Sequence, residues 1–162
     1  MTLLKLNNQN MFHINLIFVI LSTMFVNLAT AEFYQDCGSP AGVITDVEVD
    51  ECKPTDKVCI LKKNTNATIT IKFKTNQPTE SVTADVHGIV AGRSIAFPLA
   101  NSNGCFKSGL LCPLAEGVEN TYENTLAILK VYPSLSVKVK WELKNEKGED
   151  LACVLIAAKI KT

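Results

Sequence analysis

The chain has 162 residues, and its 16 lysines and arginines balance 16 aspartates and glutamates, so its formal net charge is zero. A neutral chain lacks the basic footprint that a general nucleic-acid binder needs to neutralise phosphates, so no nucleic-acid partner is expected. With 47% hydrophobic residues, it has the apolar content of a globular domain and not of a disordered one.

Residues 16–26 are almost wholly apolar, Lys5 lies upstream, and Ala29-Thr30-Ala31 has the small-x-small form that signal peptidase cleaves. An apolar core of about a dozen residues is short of the roughly 20 that span a bilayer. Residues 1–31 are therefore expected to be a cleaved signal peptide, and 32–162 a single domain. No later apolar run has the length of a membrane helix. The mature protein is expected to be secreted, in the extracellular space or the lysosomal lumen.

All six cysteines, Cys37, Cys52, Cys59, Cys105, Cys112 and Cys153, fall within 32–162. An even count behind a secretory signal implies three disulfides. Many pairings satisfy six cysteines. Locality favours Cys52 with Cys59 and Cys105 with Cys112, which leaves Cys37 for Cys153. Each local pair is separated by six residues, wider than the spacing of about two to four in zinc knuckles. No metal site is expected.

From residue 42 onward the dominant period is two. Ile69, Ile71 and Phe73 alternate with Thr and Lys. Val137, Val139, Trp141 and Leu143 alternate with Lys138, Lys140, Glu142 and Lys144. Such alternation predicts strands with one face on a core and the other in water. Strands are expected over 42–50, 58–63, 68–74, 81–91, 93–97, 124–131, 136–144 and 151–160, separated by turns rich in Pro, Gly, Asn and Asp. No window carries a helical stripe, so the fold class is all-β, a two-sheet antiparallel β-sandwich. Asn66-Ala67-Thr68 is a glycosylation sequon at the start of a strand, so Asn66 is expected to be a surface acceptor.

Catalytic signals are weak. His87 is the single histidine of 32–162, and no nucleophile elbow or oxyanion motif accompanies it. Paired cysteines leave no thiol nucleophile. No catalytic residue and no cofactor are expected, and His87 reads as a structural or surface histidine. Asp36, Asp46, Glu48 and Asp50 read as solvated positions. Val47, Val49, Ile69, Ile71, Phe73, Ile95, Phe97, Leu126, Ile128, Tyr132 and the run from Val137 to Leu143 supply apolar lining for the inner faces, but composition alone does not distinguish a filled sandwich from a hollow one.

Several local sequences together resemble one family: Asp36-Cys37-Gly38-Ser39, Gly42-Val43-Ile44, the Cys52/Cys59 pair, Val86-His87-Gly88-Ile89, Phe97-Pro98, Cys105-Phe106-Lys107-Ser108-Gly109, Cys112-Pro113, Tyr132-Pro133-Ser134 and Trp141. Over 36–161 the chain resembles the soluble Niemann-Pick type C sterol carriers, or epididymal secretory proteins, of the ML lipid-recognition family. The resemblance implies an immunoglobulin-like sandwich whose sheets splay around an apolar ligand, with the disulfide pairing Cys37–Cys153, Cys52–Cys59 and Cys105–Cys112. It assigns Phe97, Pro98 and Tyr132 to the pocket and its entrance, with Val49, Ile95 and Ile128 lining it. It assigns His87, Gly88 and Ile89 to contact with anionic membranes or a membrane sterol transporter. The implied function is binding and transfer of a sterol by a monomeric carrier. The alternatives are a carrier or sensor of another lipid (a fatty acid, a semiochemical or a microbial lipid), an interaction protein with a solid core, and last an enzyme.

Overall fold

The structure, a computed structural model, describes residues 33–162; the expected signal peptide at 1–31 lies outside the described residues. Nine strands follow in order: β1 (Tyr34–Asp36), β2 (Gly42–Val49), β3 (Cys59–Lys62), β4 (Thr65–Thr75), β5 (Thr83–Val90), β6 (Arg93–Ala96), β7 (Glu119–Ile128), β8 (Ser136–Lys144) and β9 (Asp150–Lys161). One sheet runs β1-β9-β8-β5-β6 with β3 also on β9, and the other runs β2-β4-β7. The two sheets pack into an all-β sandwich with their apolar faces inward.

Period-two patterning positions the core. Ile69, Ile71 and Phe73 of β4 are buried, as are Val137, Val139, Trp141 and Leu143 of β8. Each large apolar side chain fully buried in this way contributes about 1.5–3 kcal/mol. Tyr122 of β7 and Trp141 meet edge to face across the core, with ring centroids 6.2 Å apart.

The expected strands are present, with four differences. β1 was not foreseen, because three residues are too few to show a period; it is held by antiparallel pairing of Tyr34 with Ile156 and Asp36 with Val154. β7 starts at Glu119, ahead of the expected 124, since Glu119, Asn120 and Thr121 have little strand propensity and are held by their ladder to β4. Residues 129–131 leave that ladder and turn, with the Tyr132 amide donating to the Leu129 carbonyl. β3 pairs parallel to β9, an exception in an otherwise antiparallel architecture.

The stretch 97–118 closes one side of the sandwich. It bridges β5 through Asn103 and Thr83, and it continues through Leu114 to Thr79 and Glu116 to Thr75. On the opposite sheet the Glu123 amide donates to the Ser108 carbonyl, and Asn124 Nδ2 to the Asn101 carbonyl at 3.0 Å. Gly109 is required twice here: its φ is +83°, and a Cβ would press on the Thr121 carbonyl oxygen. Cys105–Cys112 staples this loop, Cys52–Cys59 closes the turn before β3, and Cys37–Cys153 ties the entrance of the domain to β9.

Loop length ranks these bonds. Cys37 and Cys153 lie 116 residues apart, against 7 for Cys105 and Cys112. Replacing the first pair by serine should cost about 5 kcal/mol of unfolding free energy, and the second about 2.5 kcal/mol, read from denaturant titrations. A second prediction concerns the β5–β6 hairpin. Its turn residues Ala91 and Gly92 have φ of 49° and 80°, the left-handed pair that favours Asn-Gly. Ala91→Asn should raise stability by about 0.5–1 kcal/mol in the same titration.

Candidate functional site

The sandwich is filled at one end and open at the other. Near the middle, between the sheets, lies a small apolar void of about 30 Å³, walled by Val49 and Ile69 on one sheet and Val139, Trp141, Ile156 and Ala158 on the other, with Leu126 and Leu61 at its sides. At the open end lies a larger cavity of about 320 Å³. Its walls are the β5–β6 hairpin (Val90, Ile95, Ala96), the Phe97-Pro98 segment, the Tyr132-Pro133 turn with Leu135, and the inward residues Val137 and Ile160.

The two spaces lie in series. Along β8 the inward positions run Val137, Val139, Trp141, and along β9 they run Ile160, Ala158, Ile156. The first of each series lines the outer cavity and the later ones line the void. A ligand entering the cavity is therefore aimed down the apolar seam between the sheets. Neither wall offers a convergent set of charges, so the site suits an apolar molecule held by area and not by ion pairs.

Phe97 and Tyr132 form the aromatic part of the cavity. Their rings are 5.5 Å apart and almost perpendicular, at 88°, an edge-to-face contact. The Phe97 amide donates to the Val86 carbonyl at 2.8 Å, so the backbone under this ring is an extension of the β5–β6 ladder. Pro98 ends that ladder, because it has no amide to give. Both rings are half-buried.

The residues expected to share one pocket fall into three places. Ile95, Phe97, Pro98 and Tyr132 come together at the outer cavity, with Ile95 54% exposed at its rim. Val49 lines the inner void instead. Ile128 is buried in the core and lines neither space. Val90, Ala96, Leu135 and Ile160 were not singled out from the sequence. For Ile160 the signal was available, since it shares the inward register of Ala158 and Ile156.

The segment expected at the surface also divides. His87 and Ile89 point to the outer face of the larger sheet, while Gly88 is buried and faces inward. Ile89 helps line a further groove of about 420 Å³ with Val58, Ala91, Gly92 and Lys138, which also reaches Val137 of the outer cavity and Ala158 of the void. Asn66 is exposed on β4, opposite Ala127. Ahead of Tyr132, Leu129 and Val131 are exposed apolar side chains flanking the exposed Lys130.

The outer face behind Gly88 carries the strongest electrostatics among the described residues. Glu142 was expected in water but is only 6% exposed. Its strand position does face outward; the side chain is covered by its own neighbours. Lys140 Nζ lies 2.8 Å from Glu142 Oε1, Lys144 bridges Glu142 and Asp150, and His87 Nδ1 lies 3.8 Å from Glu142 Oε2 and 3.7 Å from Asp85 Oδ1. Burial by itself raises a carboxyl, but the hydrogen bonds from Lys140 and Lys144 outweigh it and hold Glu142 below the ordinary carboxylate range. Burial likewise lowers Lys144, yet its contacts with Asp150 and Glu142 leave it raised. Asp85, His87 and Glu142 converge closely enough to ligate an ion, but two lysines already supply cations to Glu142. On the other sheet Asp46, expected as a solvated position, pairs with Lys72 at 2.9 Å.

The chain matches the ML domain family over residues 32–160. It is 43% identical over 143 residues to the NPC intracellular cholesterol transporter 2 homolog a of Drosophila melanogaster, covering 88% of this chain and 97% of that one. It is 40% identical over 145 residues to the ecdysteroid-regulated 16 kDa protein of Manduca sexta, covering 90% and 99%. Among solved structures, a Niemann-Pick type C2 protein from Japanese carpenter ant superposes with a TM-score of 0.76 at 33% identity, covering 79% of this chain and 98% of that chain. Chicken MD-1 complexed with lipid IVa, at 19% identity and a TM-score of 0.52 over 76% and 85%, shares the fold.

Glu142 makes stability depend on pH in a definite direction. Its folded carboxyl holds a proton less readily than its unfolded one, so its contribution is complete above the ordinary carboxylate range. That contribution is lost as pH falls through the lower, folded value. Glu142→Gln should therefore flatten the decline of thermal stability below about pH 5. Melting temperatures of both proteins across an acid series test this, and parallel declines would remove Glu142 as a source of the acid sensitivity.

Proposed function

Given that the chain belongs to the ML domain family, we propose that it is a lipid carrier that binds a sterol in the space between its sheets and transfers it. The observation that carries this reading is the apolar cavity at Phe97 and Tyr132, which continues in register into the inter-sheet void. The names of its relatives support the same ligand class: those from fly, cow and mouse are called NPC intracellular cholesterol transporters.

Burying about 400 Å² of sterol surface gains about 10 kcal/mol, against an association cost of about 4–15 kcal/mol. Toward the lower end of that cost, apolar burial alone gives useful affinity without a polar anchor. To admit the rings fully, the sheets must part along the seam marked by the 30 Å³ void. The slimness of that void favours a second reading, in which the cargo is a thinner lipid such as a fatty acid, a semiochemical or a microbial acyl lipid.

The carrier works outside the cytosol, in the lysosomal lumen or the extracellular space, after removal of residues 1–31, and 32–162 act as a monomeric lipid-recognition domain that can carry a glycan on Asn66. Three disulfides and an apolar run ahead of Ala29-Thr30-Ala31 support that setting. Transfer proceeds by transient docking of the open end on an anionic bilayer or a membrane sterol transporter. The exposed Ile95, Leu129 and Val131 beside Arg93 and Lys130 suit such a surface, with His87 and Ile89 on the adjoining face. The carrier performs no chemistry on its cargo.

Titration of delipidated protein with a fluorescent sterol and a fluorescent fatty acid separates the two cargo readings. Phe97→Ala and Tyr132→Ala should each weaken binding of the preferred ligand by about tenfold while the protein stays folded. Unchanged affinity in both variants would place the ligand elsewhere.

A further inference from the structure

Gly88 is the one glycine of the open end that is excluded from carrying a side chain by packing instead of by backbone conformation. Gly92, a few residues on, has a φ of +80° and open space around it. Gly88 sits in ordinary strand between Val139 of β8 and Ile95 of β6. Its backbone is absent from the set of positive-φ glycines, so an alanine is conformationally acceptable. What forbids one is Phe97: a Cβ built at Gly88 would overlap Cε2 of that ring and crowd Cδ2 and Cζ at 3.3 Å.

The arrangement follows from sheet geometry. Ile95 lies directly opposite Gly88, so Phe97, two residues on, is its diagonal neighbour, within reach of an aromatic side chain. The ring lies down over the bare backbone, which both covers a strand glycine and leaves the ring as low as the sheet allows. On its other side the ring meets Tyr132, with 5.5 Å between centroids. Phe97 is thus held between a missing side chain and a second aromatic, and its height above β5 sets how much of the 320 Å³ cavity remains free.

We propose that Gly88 is a specificity-determining positioning residue: by lacking a side chain it seats Phe97 against β5, and that seat gives the cavity the width needed by a rigid fused-ring ligand. This rests on the carrier reading above. A methyl group at Gly88 lifts the ring into the cavity, which narrows it for a sterol much more than for a single acyl chain that can bend around the ring. Gly88 touches no ligand itself; it acts through Phe97.

The test is a double-mutant cycle on the full secreted chain with two probes, the fluorescent sterol dehydroergosterol and the fluorescent linear acid cis-parinaric acid. Gly88→Ala should weaken sterol binding about tenfold or more and parinarate binding less than about threefold. In a Phe97→Leu background, where the smaller side chain leaves room for the methyl group, the same change should cost the sterol less than about threefold, a strong coupling between the two positions. Equal losses of both ligands, or the same sterol loss in either background, would overturn the proposal. If Gly88→Ala does not fold, folding of the Gly88→Ala/Phe97→Leu protein supports the seat, and its failure to fold refutes it. Ligand-free NMR keeps the carrier reading separate: the Tyr132 ring resonances should shift in Gly88→Ala, and unmoved resonances sink the seat. Unaltered protein that binds neither probe would sink the carrier reading and the specificity role with it, whereas sterol binding that Gly88→Ala leaves intact would sink the specificity role alone.

Discussion

Strand β9 must satisfy more neighbours than any other strand, and the rest of the molecule is arranged around that demand. It pairs with β8 along most of its length, with β1 near Val154–Ile156 and with β3 from Ala158 to Lys161. One edge of β9 is thus shared between an antiparallel strand and a parallel one. Its inward residues are small or branched: Val154, Ile156, Ala158, Ile160. The large aromatics Phe73, Tyr122 and Trp141 stand on β4, β7 and β8. With Ala158 at the level where the sheets face each other, the seam never closes completely, and the void lies there.

That asymmetry divides the sandwich into a solid half and a receptive half. Phe73, Tyr122, Trp141, Leu143 and Leu151 fill the first. The second is lined by aliphatic side chains such as Val90, Leu135, Val137 and Ile160 and ends at two rings in edge-to-face contact. The outer faces take no part in this division, because they are stabilised by charge. Glu142 is covered yet charged, since Lys140 and Lys144 replace the water it has lost. Removing one partner of such a covered cluster costs more than the cluster itself contributes. The cluster ties together β8 and β9 on the outer face behind Trp141 and Leu143.

Much of this was legible in the chain. Strict alternation located β4 and β8 because a half-buried strand needs nothing more, and cysteine spacing located the two local disulfides. The motifs around Phe97 and Tyr132 marked two rings that the fold brings into contact. Ile128 and Val49 were harder: both are inward and apolar, but the step from inward-facing to cavity-lining depends on which space their neighbours leave empty. β7 was cut short because Glu119, Asn120 and Thr121 speak against a strand, and only a partner ladder overrules them. Gly88 shows the limit most clearly. The family resemblance assigned it to a surface contact, whereas the structure buries it under a ring nine residues later that folds back over it.

The position of β9 in the chain also governs the order of assembly. Its partners β1 and β3 lie about a hundred residues or more earlier, as Tyr34 paired with Ile156 and Cys59 paired with Ala158 show. Such non-local pairing is slow to form, because the intervening chain must be restrained before any contact rewards it. Until β9 docks, the wall opposite Ile69, Ile71 and Phe73 lacks its share of inward residues, and the newly made chain displays an apolar surface open to misassociation. The compartment for cargo is therefore a late product of folding. A newly made chain has nowhere to hold a lipid until its final strand is in place.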